Sequence, residues 1–258
     1  MATRKLIVSD VDNTLLGNDE DLARFATWYE ENRSETRLVY ASGRFVDSVA
    51  ESVRTTLLPV PDAIIGGVGT EIQLCPSGKS LPDWDEKLSN CWDADQVREV
   101  LAVHSRLVPQ LDEFQSDYKI SYFLRNATIT ELEQIRTRLA QASIAADLIY
   151  SSFRDLDVLP AGFSKGAATR TVAEHFQHDA QDVLVCGDSA NDLSMFQYDW
   201  RGVVVGNAHP ELIELDDPLI YHSDACFAAG VLDGLDYWMH RDGRIESSRT
   251  MRSQMIGC

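Results

Sequence analysis

Four short clusters of polar residues carry the chemistry that this sequence can do. The first is Asp10-Val11-Asp12-Asn13-Thr14, directly after the apolar run Lys5–Ser9. Two carboxylates two residues apart, where a chain leaves a strand, can both face a crevice, one as nucleophile and the other as proton donor. Taken alone, the cluster is as simply a capped turn, because Asp and Asn favour turns. The second is Ala41-Ser42-Gly43-Arg44, whose Ser42 hydroxyl and Gly43 amide would suit phosphate oxygens at a helix start. The third is Ser164-Lys165-Gly166, where a Lys opens a helix and so stands at the wrong end for the macrodipole unless it faces an anion. The fourth is Gly187-Asp188-Ser189-Ala190-Asn191-Asp192, which adds two carboxylates together with Asn191. Acidic groups gathered from separate strand ends need a cation to offset their repulsion, and hard oxygen ligands without His or Cys favour Mg²⁺.

The elements that must position these groups follow from the apolar pattern. Lys5–Ser9, Arg37–Ala41, Ala63–Ile65, Val183–Cys186 and Val203–Val205 read as buried strands. Asp19–Glu31, Phe45–Leu57, Ser164–Phe176 and Ala225–Met239 show helical spacing, with Ser164 or Asp224 as possible caps. The alternation predicts an α/β, doubly wound parallel-sheet core of the Rossmann-like kind, with each polar cluster at the carboxyl end of a strand, where such sheets place their ligands. The stretch 84–160 reads differently. It has a helix Ala94–Leu107, a strand Lys119–Leu124, a helix Thr130–Ala142 and strands near Asp147–Ser151 and Asp155–Leu159, an inserted α+β unit with helices on one face of a mostly antiparallel sheet. The expected division is therefore a core of 1–83 and 161–240, an inserted domain of 84–160 and a tail of 241–258.

Composition narrows the partners. With 41 acidic against 23 basic residues the formal charge is −18, which repels nucleic acid and anionic membrane, so neither is expected as a partner. An anionic substrate must then be met by local cations or a metal. Cys75, Cys91, Cys186, Cys226 and Cys258 show no C-x-x-C spacing and are expected as reduced thiols, with no zinc site. No long apolar run or signal peptide is evident, and a cytoplasmic location is expected.

In this order the four clusters resemble the motif series of the haloacid dehalogenase superfamily, D-x-D-x-T, a strand-end Ser/Thr, a Lys, and G-D-x-x-N-D. The resemblance implies a Mg²⁺-dependent phosphatase working through an aspartyl phosphate. Asp10 matches the nucleophile and Asp12 the general acid/base. Ser42, Gly43, Lys165 and Asn191 match the phosphate-holding groups, and Asp10, Asp12 (through its backbone carbonyl), Asp188 and Asp192 the metal ligands.

The inserted unit lies in the long gap Phe45–Ser164 rather than the short one Leu15–Arg37, which resembles superfamily members with a C2 cap. The strings Val8–Thr14, Val68–Ile72, Lys119–Tyr122, Asp155–Pro160 and Leu184–Ser189 are similar to the bacterial sucrose-6-phosphate phosphatase family. Departures are Ser42, where Thr is expected, and Ser164 and Gly206, where Asn and Arg are expected. The resemblance implies hydrolysis of sucrose-6-phosphate, with Arg44, Glu71 and Lys119 as candidates for contacting the sugar. It also admits a sucrose-phosphate synthase as a partner, with the chain itself a monomer. Two rivals remain: a phosphatase of the same group acting on another sugar, such as mannosyl-3-phosphoglycerate, and a non-catalytic regulatory module. The latter is expected to lose catalytic carboxylates, and all are present here. A receiver domain would need neither the second Asp of the first cluster nor a cap.

Overall fold

Alternation along the central strands sends side chains to two apolar layers. In β1 (Lys5–Ser9) Leu6 and Val8 face one layer and Ile7 the other; in β2 (Thr36–Ala41) Val39 and Ala41 oppose Leu38 and Tyr40. A strand buried on both faces in this way must be central and covered by helices on both sides. The computed structural model, which describes residues 4–90, 92–239 and 241, shows this arrangement. One layer takes Leu22, Phe25 and Tyr29 of α1 (Asp19–Asn32), Val49 of α2 (Val46–Thr55) and Val231, Leu235 and Trp238 of a helix over 227–239.

The sheet has eight strands in the order β12-β11-β10-β1-β2-β3-β4-β5. The strands from β12 (Ile220–His222) through β11 (Arg201–Val204), β10 (Val183–Gly187), β1 and β2 to β3 (Ala63–Gly66) are parallel. From β1 the chain winds outward through β2 and β3, then returns to start the other half at β10, beside β1. This reversal leaves a crevice at the carboxyl ends of β1 and β10, where Asp10 and Asp188 emerge together. The hairpin β4 (Glu71–Leu74) and β5 (Lys79–Ser80) extends the sheet antiparallel where Val68–Ile72 reads from sequence as a turn.

The inserted unit is a four-stranded antiparallel sheet, β6 (Val108–Pro109), β7 (Ile120–Phe123), β9 (Asp155–Pro160) and β8 (Ala146–Ser151) in spatial order. Val97 and Leu101 of α4 (Ala94–Leu101) and Ile135 and Leu139 of α5 (Ile129–Gln141) pack on Ile120, Tyr122, Leu156 and Val158. The alternation therefore sends Ser121, Asp155 and Asp157 to the opposite face. The helix predicted over Ala94–Leu107 ends at Leu101, where Ala102 turns back onto the carbonyls of Arg98 and Glu99 and the chain heads into the short edge strand β6. At the predicted junction the helix α3 (Pro82–Ser89) packs with the core: Trp84 and Leu88 lie among Leu6, Val8 and Phe163, and Trp84 Nε1 donates to the carbonyl of Gly69. The expected tail 241–258 lies, apart from Arg241, outside the described residues. Among the described residues no helix is long and apolar enough to cross a membrane, and Cys75, Cys186 and Cys226 are free thiols.

Gly69 ties this packing to the chemistry. It has φ +109°, and a Cβ there would lie 2.3 Å from the backbone of Ser164, the N-cap of α6 (Lys165–His175). Gly69→Ala is expected to destabilise the fold by at least about 2 kcal/mol, read as a fall in the urea midpoint, and to lower activity in what remains folded by displacing Lys165.

Candidate active site

Lys165 is the convergence point of the four clusters. The hydroxyl of Ser164 accepts the amide of Ala167 and starts α6, so the Lys165 side chain is sent inward at the first turn. Its Nζ is fully buried and donates to Asp10 Oδ1 at 2.6 Å, Asp192 Oδ1 at 2.6 Å and Asn191 Oδ1 at 2.8 Å. Asp192 is fixed in turn by the amides of Asp188 and Ser189, which donate to its Oδ2. Thr14 Oγ1 donates to Asp188 Oδ1, tying the first cluster to the fourth. The amide of Asp10 donates to the carbonyl of Cys186, which sets Asp10 across from β10.

Asp10, Asp188 and Asp192 are all buried and each offers a carboxylate oxygen within 4.8 Å of the others. Burial is the largest cause holding Asp10 well above the usual carboxylate range; Lys165 opposes it, and Asp192 and Asp188 add to it. Burial and the charge of Asp192 push Asp188 up to about 7 against the pull of Lys165 and Thr14. For Lys165 burial favours the neutral amine, but the charges of Asp10 and Asp192 outweigh it and hold the ammonium above its ordinary pKa. A single ammonium leaves three clustered carboxylates undercompensated, and a hard divalent cation fits the donor set.

The remaining sequence candidates divide. Gly43 and Asn191 face one another, the position of a Gly43 Cβ lying 3.5 Å from Asn191 Nδ2, and both line the crevice. Ser42 is buried beside them and its hydroxyl accepts the amide of Arg44. The Asp12 carboxylate does not join the acidic trio; its Oδ2 pairs with Arg44 Nε at 2.8 Å. Glu71 was expected at the sugar, but its Oε2 accepts the amide of Val46 and serves the N-terminus of α2, whose capping position holds Phe45, a residue unable to do this. Lys119 does reach the crevice. It is buried, donates to Ser121 Oγ and the carbonyl of Phe114, pairs with Asp157 at 3.1 Å and lies over the ring of Phe45.

The crevice is a cavity of about 420 Å³ between the core and the inserted unit. Asp10, Asp12 and Asp188 form its floor, and Gln110, Arg154, Asp155 and Asp157 are among the residues of its roof. Gln110, Arg154 and the two roof carboxylates are functional candidates that the sequence reading missed. The alternating Asp155-Leu156-Asp157-Val158 was the available signal, since a strand with apolar residues on one face must present these carboxylates on the other. His209, also lining the cavity, gave no such signal.

The sequence profile of the family described as Sucrose-6F-phosphate phosphohydrolase matches residues 3–239. The chain belongs to this family. It is built on the haloacid dehalogenase fold, and the family acts on sugar phosphates. The mannosylfructose-phosphate phosphatase of Agrobacterium fabrum is 34% identical over 92% of this chain and 98% of that one. The sucrose-phosphatase of Synechocystis sp., solved with sucrose and phosphate, superimposes with a TM-score of 0.86 at 32% identity, covering 92% of this chain and 98% of that one. A probable sucrose-phosphatase of Arabidopsis thaliana, 3a, is 31% identical over 90% of this chain, which spans 59% of the plant protein's length.

The raised Asp10 and Asp188 have a consequence for stability. A carboxyl whose pKa is higher folded than unfolded contributes stability that is full below its ordinary pKa and lost as pH rises through the folded value, here towards about 7 for Asp188. The metal-free protein is expected to melt at falling temperature from pH 5 to pH 8. A divalent cation that binds the trio, at roughly 100 times its Kd, should raise Tm by about 5–10 °C at pH 7.5 and much less at pH 5. An equal shift at both pH values, followed by scanning calorimetry, would remove the trio as the cation site.

Proposed function

We propose that the protein hydrolyses the phosphate monoester of a fructose-containing disaccharide, with sucrose-6-phosphate as the substrate, through an aspartyl-phosphate intermediate. The observation that carries this reading is one cavity whose floor holds Asp10, backed by the buried Lys165, and whose wall from the inserted unit is polar and doubly acidic. A phosphoryl group belongs with the first and a hydroxyl-rich leaving group with the second. Membership of the family and the likeness to a sucrose-phosphatase solved with sucrose and phosphate support it. A second reading, mannosylfructose phosphate, is favoured by the Agrobacterium relative, which this chain matches over nearly its full length.

In the proposed reaction a carboxylate oxygen of Asp10 forms a bond to phosphorus while the bond from phosphorus to the sugar oxygen breaks, and Asp12 gives its proton to that oxygen. Water then adds to phosphorus, the bond to Asp10 breaks, and Asp12 takes the proton back as phosphate is released. The Gly43 amide, the Ser42 hydroxyl and the Asn191 side-chain amide hold the phosphoryl oxygens, and the Lys165 ammonium, whose three N–H groups are taken by Asp10, Asp192 and Asn191, adds its positive charge from beneath. Asp10, Asp188, Asp192 and the backbone carbonyl of Asp12 are the proposed ligands of Mg²⁺, which when bound supplies positive charge that lets an anionic nucleophile approach an anionic phosphoryl group. The roof residues then select the ester, because a polar group left unpaired by the wrong sugar penalises its binding.

Asp10→Asn keeps the shape of the side chain and removes the nucleophile, so phosphate release from any ester is expected to vanish while the circular dichroism spectrum stays unchanged. Near-normal turnover would exclude the covalent route. Lys119→Ala is expected to lower kcat/KM for sucrose-6-phosphate by on the order of 10–100-fold, the loss of a hydrogen bond from a charged group. On p-nitrophenyl phosphate, which has no sugar hydroxyls, the same variant should change little. A panel with sucrose-6-phosphate, mannosylfructose phosphate, glucose-6-phosphate and fructose-6-phosphate decides the disaccharide; equal rates on all four would place selection outside this cavity.

A further inference from the structure

The Asp12 side chain stands apart from the rest of the floor. It is 49% exposed, and among the described residues its carboxylate has a single charged partner, Arg44. A short acidic side chain with this freedom would sample several rotamers, whereas a proton donor must come within about 2.6–3.2 Å of the atom it serves. Arg44 removes that freedom because it is itself held at several points. Its amide donates to Ser42 Oγ, its carbonyl accepts the amide of Gly67, and Nη1 donates to Ser52 Oγ on α2. Nε is thereby brought 2.8 Å from Asp12 Oδ2. The contact is an ion pair and not a hydrogen bond: Nε and Nη2 are both buried without a hydrogen-bond partner, a cost that a guanidinium free to swing into solvent would escape. The two residues reach the crevice from different strands: Asp12 follows β1 and Arg44 follows β2.

Resting on the two-step reaction proposed above, we propose that Arg44 is the positioning residue of proton transfer. Its charge holds Asp12 at Oδ2 and leaves Oδ1 to deliver the proton to the departing oxygen and to take one from the attacking water. No atom of Arg44 exchanges a bond in either step. Its effect is therefore largest where the leaving group needs a proton most. A sugar alkoxide leaves poorly unprotonated; p-nitrophenolate leaves without help.

The test is the slope of log kcat/KM against leaving-group pKa for a series of aryl phosphates from p-nitrophenyl to unsubstituted phenyl, measured with Mg²⁺ for the unaltered protein, Arg44→Ala, Asp12→Ala and the double variant. The slope compares esters within one preparation, so it is independent of how much of a variant folds. Arg44→Ala should steepen it towards the slope of Asp12→Ala, with the double variant no steeper than Asp12→Ala. The loss on a sugar phosphate should exceed the loss on p-nitrophenyl phosphate by on the order of 10²-fold, the cost of an ångström-scale misplacement of a catalytic group. A uniform fall across the series with the slope unchanged would make Arg44 a phosphate-holding or structural residue and overturn the proposal, as would additive steepening in the double variant. None of the aryl esters carries a sugar, so an error in the assigned disaccharide leaves the slopes as they are.

Discussion

The structure depends on one buried ammonium. Lys165 is wholly removed from water, and an isolated charge in that position costs far more than folding can supply. It is tolerable because Asp10, Asp192 and Asn191 each accept a hydrogen bond from one of its N–H groups. The converse also holds: without Lys165 the carboxylates of Asp10, Asp188 and Asp192 would stand within 4.8 Å of one another with no internal cation. The motifs are thus bound by mutual electrostatic need, and the fold must deliver a side chain from α6 to the ends of β1 and β10. The reversal of winding direction between those strands leaves room for it, and Gly69 lets the loop after β3 pass close enough to seat the start of the helix.

The inserted unit obeys a simpler rule. Strands with one face on a helical layer have their other face free, and Asp155 and Asp157 occupy it because Leu156 and Val158 are committed to α4 and α5. Facing carboxylates towards an acidic floor is unfavourable unless cations lie between. Lys119 beside Asp157, Arg154 beside Asp155 and Arg44 beside Asp12 meet that requirement locally. A chain of formal charge −18 can in this way present a cavity to an anionic ester.

The core was legible in the sequence where local pattern and chemistry coincide. Apolar runs ending in Asp10, Ser42 and Asp188 are both strands and sites, so reading one gave the other. Residues whose role depends on distant partners were less legible. Glu71, assigned to the sugar from its string, serves the amide of Val46; the sequence shows that Phe45 cannot cap α2, but not which distant side chain takes the cap's place. Gln110 lies beside a two-residue edge strand too short to leave a pattern. The pairing of Arg44 with Asp12 joins the ends of neighbouring strands, a register that only the assembled sheet supplies.

A division of labour follows from where the two sets of groups sit. The floor is built at strand ends of a sheet buried on both faces, so its geometry is coupled to the whole core and tolerates little change. The roof is the free face of a small antiparallel sheet whose helices pack on the other side, and a side chain there can be exchanged without disturbing an apolar contact. Relatives named for sucrose phosphate and for mannosylfructose phosphate both match this chain over nine-tenths or more of its length. Such neighbours can share a floor that handles the phosphoryl group while differing in the few roof side chains that meet sugar hydroxyls. A hydrogen-bonding group left unpaired costs about 1–3 kcal/mol, enough for one or two such exchanges to redirect the preferred sugar. Lys119 is the exception among the roof residues: its links to Phe114, Ser121, Asp157 and the Phe45 ring bind it to both domains, so it belongs to the coupled part of the site although the inserted unit supplies it.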